Sequence, residues 1–179
     1  GVVAIAAAVQ DMLNAAAPLL AARSVTAEPQ VADAAVALGD RDQIVQVLQN
    51  LFDNAVKYSP AGGRVVLEVS RTATAEPEGE PALEGAARLS LLTPDRSDGG
   101  FVVLRIVDQG PGIARGNLPR LSERFYRVEG QKSGEREGTG LGLAIVKHII
   151  NRHRGGLMVE SAEGKGTIFT AYFPAASLS

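Results

Sequence analysis

The chain has 179 residues, enough for one domain around a single core, and its 18 Lys and Arg against 20 Asp and Glu give a formal net charge of −2. Such a balance lacks the basic stripe that nucleic-acid binders carry, so no nucleic-acid partner is expected. With no cysteine and two histidines there is no disulfide framework, no thiolate metal site and no His cluster, which fits a reducing cytosol.

Residues 1–8 are apolar and alanine-rich, but they lack the basic flank and cleavage pattern of a signal peptide and are too short to span a bilayer. They read as the first turns of a helix, and a start inside a helix without an initiator Met reads as an excised fragment. Val2, Ile5, Val9, Met12, Leu13, Ala16, Leu19 and Leu20 recur at three- and four-residue steps, which predicts an amphipathic helix over 3–22 with a kink at Pro18. Short strands follow at 24–28 and 35–38, with Glu28-Pro29-Gln30 as the turn between them.

Asp40, three residues before Gln43, is a helix cap, and Pro60-Ala61-Gly62-Gly63 stops the helix it opens. Ile44, Val45, Val47, Leu48, Leu51, Phe52, Ala55 and Val56 form its buried side. Gln46, Asn50, Asn54 and Lys57 fall at steps of four, four and three, one polar stripe along it. The β-branched runs 65–70 and 101–108 predict adjacent strands. Residues 72–99, rich in Ala, Glu, Pro and Gly, read as a flexible hairpin insertion, with 88–92 able to prolong one strand. A glycine-rich run, Gly138-Thr139-Gly140-Leu141-Gly142, turns into an apolar helix, a junction whose backbone N–H groups and dipole suit a polyphosphate. A hairpin around residues 162–166 closes the chain.

Order and spacing of five segments then resemble one family. Leu48-Gln49-Asn50-Leu51-Phe52-Asp53-Asn54-Ala55-Val56-Lys57-Tyr58, Asp108-Gln109-Gly110-Pro111-Gly112-Ile113, Glu123-Arg124-Phe125-Tyr126-Arg127, Gly138 to Gly142 and Gly164-Lys165-Gly166-Thr167 are similar to the N-box, first glycine box, F-box, second and third glycine boxes of the ATP-binding catalytic domain of two-component sensor histidine kinases. The stretches 124–130 and 147–155 are most similar to phosphate-regulon sensor kinases. The resemblance implies a Bergerat ATP-binding fold, a two-layer α/β sandwich of a mixed sheet with helices on one face, agreeing with the elements predicted above. It also implies a single domain over 1–179 with an ATP lid at 114–138.

By the same resemblance the ligands are ATP and Mg²⁺. Asn54 is the metal ligand, and an amide oxygen held on a rigid helix suits Mg²⁺ whose octahedron phosphates and waters complete. Asp108 takes the adenine amino group, because a carboxylate accepts from it where GTP would present another acceptor. Tyr58, Gly110, Gly112, Ile113, Phe125, Gly138, Thr139, Gly140, Leu141, Gly142 and Thr167 border the nucleotide. Lys57 and Arg127 can neutralise phosphate charge.

Asn50 stands where ATP-hydrolysing relatives carry a glutamate. An amide is a poor base for activating water, whereas a neutral imidazole needs no such base, so Asn50 points to a histidine kinase and away from a hydrolase. Neither His148 nor His153 lies in a His-Glu-x-Arg-Thr-Pro-like setting, so the phosphoacceptor is expected on another domain and both histidines have structural roles. The implied partners are a histidine-bearing dimerisation domain of the same kinase and a response-regulator receiver domain. The implied setting is cytoplasmic for this domain, within a membrane-associated homodimer at the inner membrane. The alternative is a nucleotide-free adaptor or phosphotransferase-type module with the same fold, which the retained glycine boxes oppose.

Overall fold

A computed structural model describes residues 1–32, 35–74, 83–95, 97, 99–122 and 139–176. Six strands form one mixed sheet: β2 (Thr26–Val31), β4 (Arg64–Thr72), β5 (Ala87–Leu92), β6 (Phe101–Asp108), β7 (Gly156–Ala162) and β8 (Gly166–Pro174). Their order is β2-β4-β6-β8-β7-β5, with β2 parallel to β4 and every other pair antiparallel. Two short strands, β1 (Val2–Ala4) and β3 (Val36–Leu38), make a separate antiparallel pair.

Three helices, α1 (Ile5–Arg23), α2 (Arg41–Tyr58) and α3 (Thr139–Arg152), share one apolar core with one face of the large sheet. Ile5, Val9 and Met12 from α1, Ile44, Leu48 and Phe52 from α2, and Val146 and Ile150 from α3 meet alternate strand residues: Val65 and Leu67, Leu104 and Ile106, Leu157 and Val159, Ala171 and Phe173. Period 2 on the strands and period 3.6 on the helices put these residues together, the two-layer sandwich expected from the sequence. By length and composition α1 could cross a membrane, yet Ile5, Ala8, Val9, Met12 and Ala16 are buried in this core.

Four expectations need correction. Residues 2–4 are strand, because the β-branched Val2 and Val3 find a ladder partner in Leu38 and Ala37, and the helix begins only at Ile5. Glu28-Pro29-Gln30 is no turn but the middle of β2; that strand is an edge, with one side free of ladder bonds, so the missing proline N–H costs nothing there. The insertion at 72–99 is not a loop throughout. Its residues Ala87–Leu92 form β5 against β7 at the far edge of the sheet, and Leu89, Leu91 and Leu92 pack on the core. Finally, Thr139 to Gly142 lie in the first turn of α3 and not in a loop before it. α1 passes through Pro18 as one helix.

Other expectations hold. Asp40 caps α2, accepting from the Gln43 N–H at 3.0 Å. β4 and β6 are neighbours, and β7 and β8 form the closing hairpin.

Candidate functional site

α2 and α3 pack antiparallel, tied at two levels. The Asn50 side-chain amide donates to the Gly142 carbonyl at 3.4 Å, while its oxygen accepts from Gln46 Nε2 at 3.1 Å. Ten residues earlier on α2, about 15 Å along the axis, the Asp40 N–H donates to His153 Nε2 at 3.1 Å, just past the end of α3. The first turn of α3 therefore stands beside Asn50, and its N-terminal N–H groups lie at that end of the helix pair. Asn54, one turn further along α2, is half-buried and makes no side-chain hydrogen bond among the described residues. Lys57 and Tyr58 complete the helix and are half-buried. Asp53, beside Asn54 and one turn before Lys57, has a carboxyl that burial pushes up and the Lys57 charge pulls partly back.

The C-terminal end of α2 meets the loop after β6. A Cβ on Gly110 would stand 2.7 Å from the Tyr58 carbonyl oxygen, so only glycine lets this loop close on the helix. Gly112 has φ +74° and its missing Cβ would strike the Ala162 carbonyl. Pro111 accepts from the Gly164 N–H at 2.8 Å, so the loop is also locked to the β7–β8 turn.

At this end of the sheet, on the helix side, one cross-strand row runs Asp108, Thr167, Ser161 and Ala87 on β6, β8, β7 and β5. Its first three members are nearly sealed, with exposures of 6%, 5% and 2%. The Asp108 carboxylate accepts from the Gly110 N–H at 2.9 Å and from the Thr167 N–H. Burial outweighs both donors and pushes this carboxyl up to about 6. A buried, under-compensated acceptor next to glycine backbone is what a flat ligand with an N–H donor can satisfy.

Asn50, Asn54, Lys57, Tyr58, Asp108, Gly110, Gly112, Ile113, Gly142 and Thr167 thus belong to two helices, two strand ends and the loop after β6, which meet at one end of the molecule, together with the backbone of Thr139, Gly140 and Leu141. Phe125, Arg127 and Gly138 lie outside the described residues. The start of the expected lid, Arg115–Ser122, is a 3-10 helix whose Leu118 is buried in the core. Sequence reasoning missed Ser161, which reads in the sequence as an ordinary polar strand residue. No group of three or more His, Cys, Asp or Glu side chains forms a metal cage among the described residues. The donor set at this end is amide oxygen, which suits a hard cation that brings phosphate oxygens and water with it. His148 is exposed on α3, while His153 is tied on both ring nitrogens, Nδ1 lying 2.8 Å from the Ile149 carbonyl.

Arg154 takes a left-handed φ of +57° after α3, and the following Gly155 N–H closes on the Ile150 carbonyl at 3.0 Å, at the end of α3 remote from Asp108.

Over residues 39–177 the chain matches the family described as histidine kinase-, DNA gyrase B- and HSP90-like ATPases. It is 35% identical over 177 residues to the phosphate regulon sensor protein PhoR of Pseudomonas aeruginosa, an alignment covering 99% of this chain and 34% of that protein. The chain thus spans about a third of that relative's length. Among solved structures it is similar to the mycobacterial sensor histidine kinase MprB, with a TM-score of 0.74 and 27% identity over 99% of this chain and 100% of that one. It is also similar to full-length ShkA in complex with AMPPNP, with a TM-score of 0.72 and 25% identity over 100% of this chain and 32% of that one. The chain belongs to the histidine kinase-, DNA gyrase B- and HSP90-like ATPase family, and within it to the catalytic domains of sensor histidine kinases.

Proposed function

We propose that this domain binds Mg²⁺·ATP and gives its γ-phosphoryl group to a histidine on a separate dimerisation domain of the same kinase, from which a response-regulator receiver domain is served. The observation that carries the reading is Asp108: a sealed carboxylate, held among the described residues by two backbone donors, at the strand end where the glycine loop meets the end of α2. The adenine amino group supplies the missing donor. The triphosphate then reaches the N-terminus of α3, where N–H groups and the helix dipole favour anionic charge. AMPPNP, the ligand in the ShkA structure, has the same base and a triphosphate of the same charge pattern, which supports this placement.

Asn54 would hold Mg²⁺, and Lys57 and Arg127 would face phosphate oxygens. When bound, Mg²⁺ supplies charge neutralisation at the phosphates. Asn50 has its amide committed to Gln46 and Gly142, so it braces α3 against α2 and offers no carboxylate base to water. Bound nucleotide should therefore stay intact until an imidazole is brought in line. In the full-length kinase the domain would work on the cytoplasmic side of a membrane-associated homodimer.

The test is to supply γ-labelled ATP to the chain alone and with candidate histidine-bearing dimerisation domains. Acid-labile label should form on the acceptor domain only. Label on His148 or His153, or rapid phosphate release by the chain alone, overturns the reading. Asn54→Ala should remove the Mg²⁺-dependent part of ATP binding while the fold survives, and unchanged transfer would move the metal elsewhere.

A further inference from the structure

Resting on the adenine reading of Asp108, we propose that Ser161 is a positioning residue for base selection: its hydroxyl fixes Thr167 Oγ1 as a hydrogen-bond acceptor beside the Asp108 carboxylate. Ser161 Oγ has one proton and two lone pairs. It accepts from the Ile113 N–H at 2.7 Å. It lies 2.9 Å from the Gly166 carbonyl, which can only accept, so the Ser161 proton goes there. The third contact, to Thr167 Oγ1 at 2.8 Å, must then be made with the Thr167 proton donated to Ser161. Thr167 Oγ1 keeps only lone pairs for any other neighbour.

The consequence is an edge made of acceptors. Thr167 and Asp108 are cross-strand partners on the helix side of the sheet, and the Thr167 backbone N–H is itself spent on the Asp108 carboxylate. A purine with an exocyclic amino group brings a donor to this edge. A purine with a carbonyl at that place brings a third acceptor, and no proton is free to rotate toward it. Ser161 thus acts on selectivity without reaching the base, by denying Thr167 the rotamer in which it could donate. The same hydroxyl fastens the first glycine loop, through Ile113, to the β7–β8 turn, through Gly166, so the two walls of the base pocket share one fixed point.

The experiment compares ATP with ITP, in which a carbonyl replaces the amino group, by calorimetry on the wild-type chain and on Ser161→Ala, Thr167→Val and the double variant, with thermal melts to verify folding. Wild type should prefer ATP. Ser161→Ala should lower the ATP-to-ITP preference by about tenfold, because Thr167 regains a proton it can turn toward the carbonyl. In the Thr167→Val background the Ser161 substitution should change the preference no further. A folded Ser161→Ala with the wild-type preference, or an equal effect with and without Thr167, overturns the proposal while leaving ATP binding intact. Thr167→Val alone should also lower the preference, so the proposal remains open to refutation if Ser161→Ala does not fold. A wild type that binds ATP and ITP alike removes the adenine reading itself.

Discussion

The two ends of the α2–α3 pair are built from similar groups and used oppositely. At the α2 N-terminus, Asp40 accepts from Gln43, the Asp40 N–H gives to His153, and the His153 ring is held to the Ile149 carbonyl and edge-on to Phe173. Each polar group there is satisfied by another residue of the chain. At the α2 C-terminus, a carboxylate of similar chemistry is sealed with two backbone donors, too few to hold its pKa down. A cap on the surface needs little compensation, whereas a buried carboxylate that lacks it stores a cost that a ligand can relieve. The contrast separates the end that holds the fold from the end proposed to hold the nucleotide.

The strongest way to break this comparison is Asp108→Asn. The amide turns part of the acceptor into a donor facing the adenine amino group, so ATP affinity should fall by about a hundredfold. The fold should not suffer, since the variant removes a buried charge. Calorimetry showing unchanged affinity would take the base away from Asp108.

The pH dependence sharpens it. Folding raises the Asp108 carboxyl from 3.8 to about 6, so folding favours its protonated form. The stabilisation from this group is full below 3.8 and is lost as pH rises through about 6. The loss is on the order of 3 kcal/mol at most. Denaturant titrations of wild type against Asp108→Asn between pH 4 and 7 should isolate this slope, which the Asn variant lacks. ATP affinity should move the other way and weaken as pH falls below about 6, because protonation consumes the acceptor. A flat difference between the two proteins would mean that Asp108 is better compensated than its burial suggests.

At the opposite end, His153→Ala should cost roughly 1–2 kcal/mol of stability, from a lost contact with Phe173 and an Asp40 N–H left without its acceptor. Nucleotide affinity in the folded variant should stay within about twofold of wild type, since additivity holds for sites this far apart. A large loss of affinity would show that the two ends are coupled through the helices.

What the sequence disclosed follows from how local each signal is. The Asp40 cap, the stripe from Gln46 to Lys57 and the order of the glycine boxes lie within short windows, and the fold keeps them as written. β5 was legible only in part: 88–92 reads as able to prolong a strand, but Ala87, Leu89 and Leu91 alternate for only a few residues inside a polar, Pro- and Gly-rich stretch, and the partner that makes it a separate edge strand, β7, lies some seventy residues on. Leu89→Ala should accordingly lower stability by about 1–2 kcal/mol, less than for a fully buried leucine; no change in the melt would mean that the edge strand is dispensable. Ser161 was hidden for a related reason. Its partners, Ile113, Gly166 and Thr167, come together only when β6, β7 and β8 are in register.

The smallest expected effect is Asp40→Ala, and it tests whether the closed end behaves as a cap alone. The Asp40 carboxylate accepts one N–H, that of Gln43, and is exposed, so truncation should cost about 1 kcal/mol and no more. Its backbone N–H still reaches His153, because that bond does not depend on the side chain. Asp40→Asn, which keeps a capping oxygen, should recover most of the loss, leaving only the part due to charge at the helix N-terminus. Chemical denaturation of the three proteins measures this directly. If alanine and asparagine cost the same, the cap is electrostatic and not a hydrogen bond; if alanine also weakens ATP binding, the register of α2 against α3 is set at Asp40, and the end remote from the nucleotide governs how Asn50 and Asn54 are presented to it.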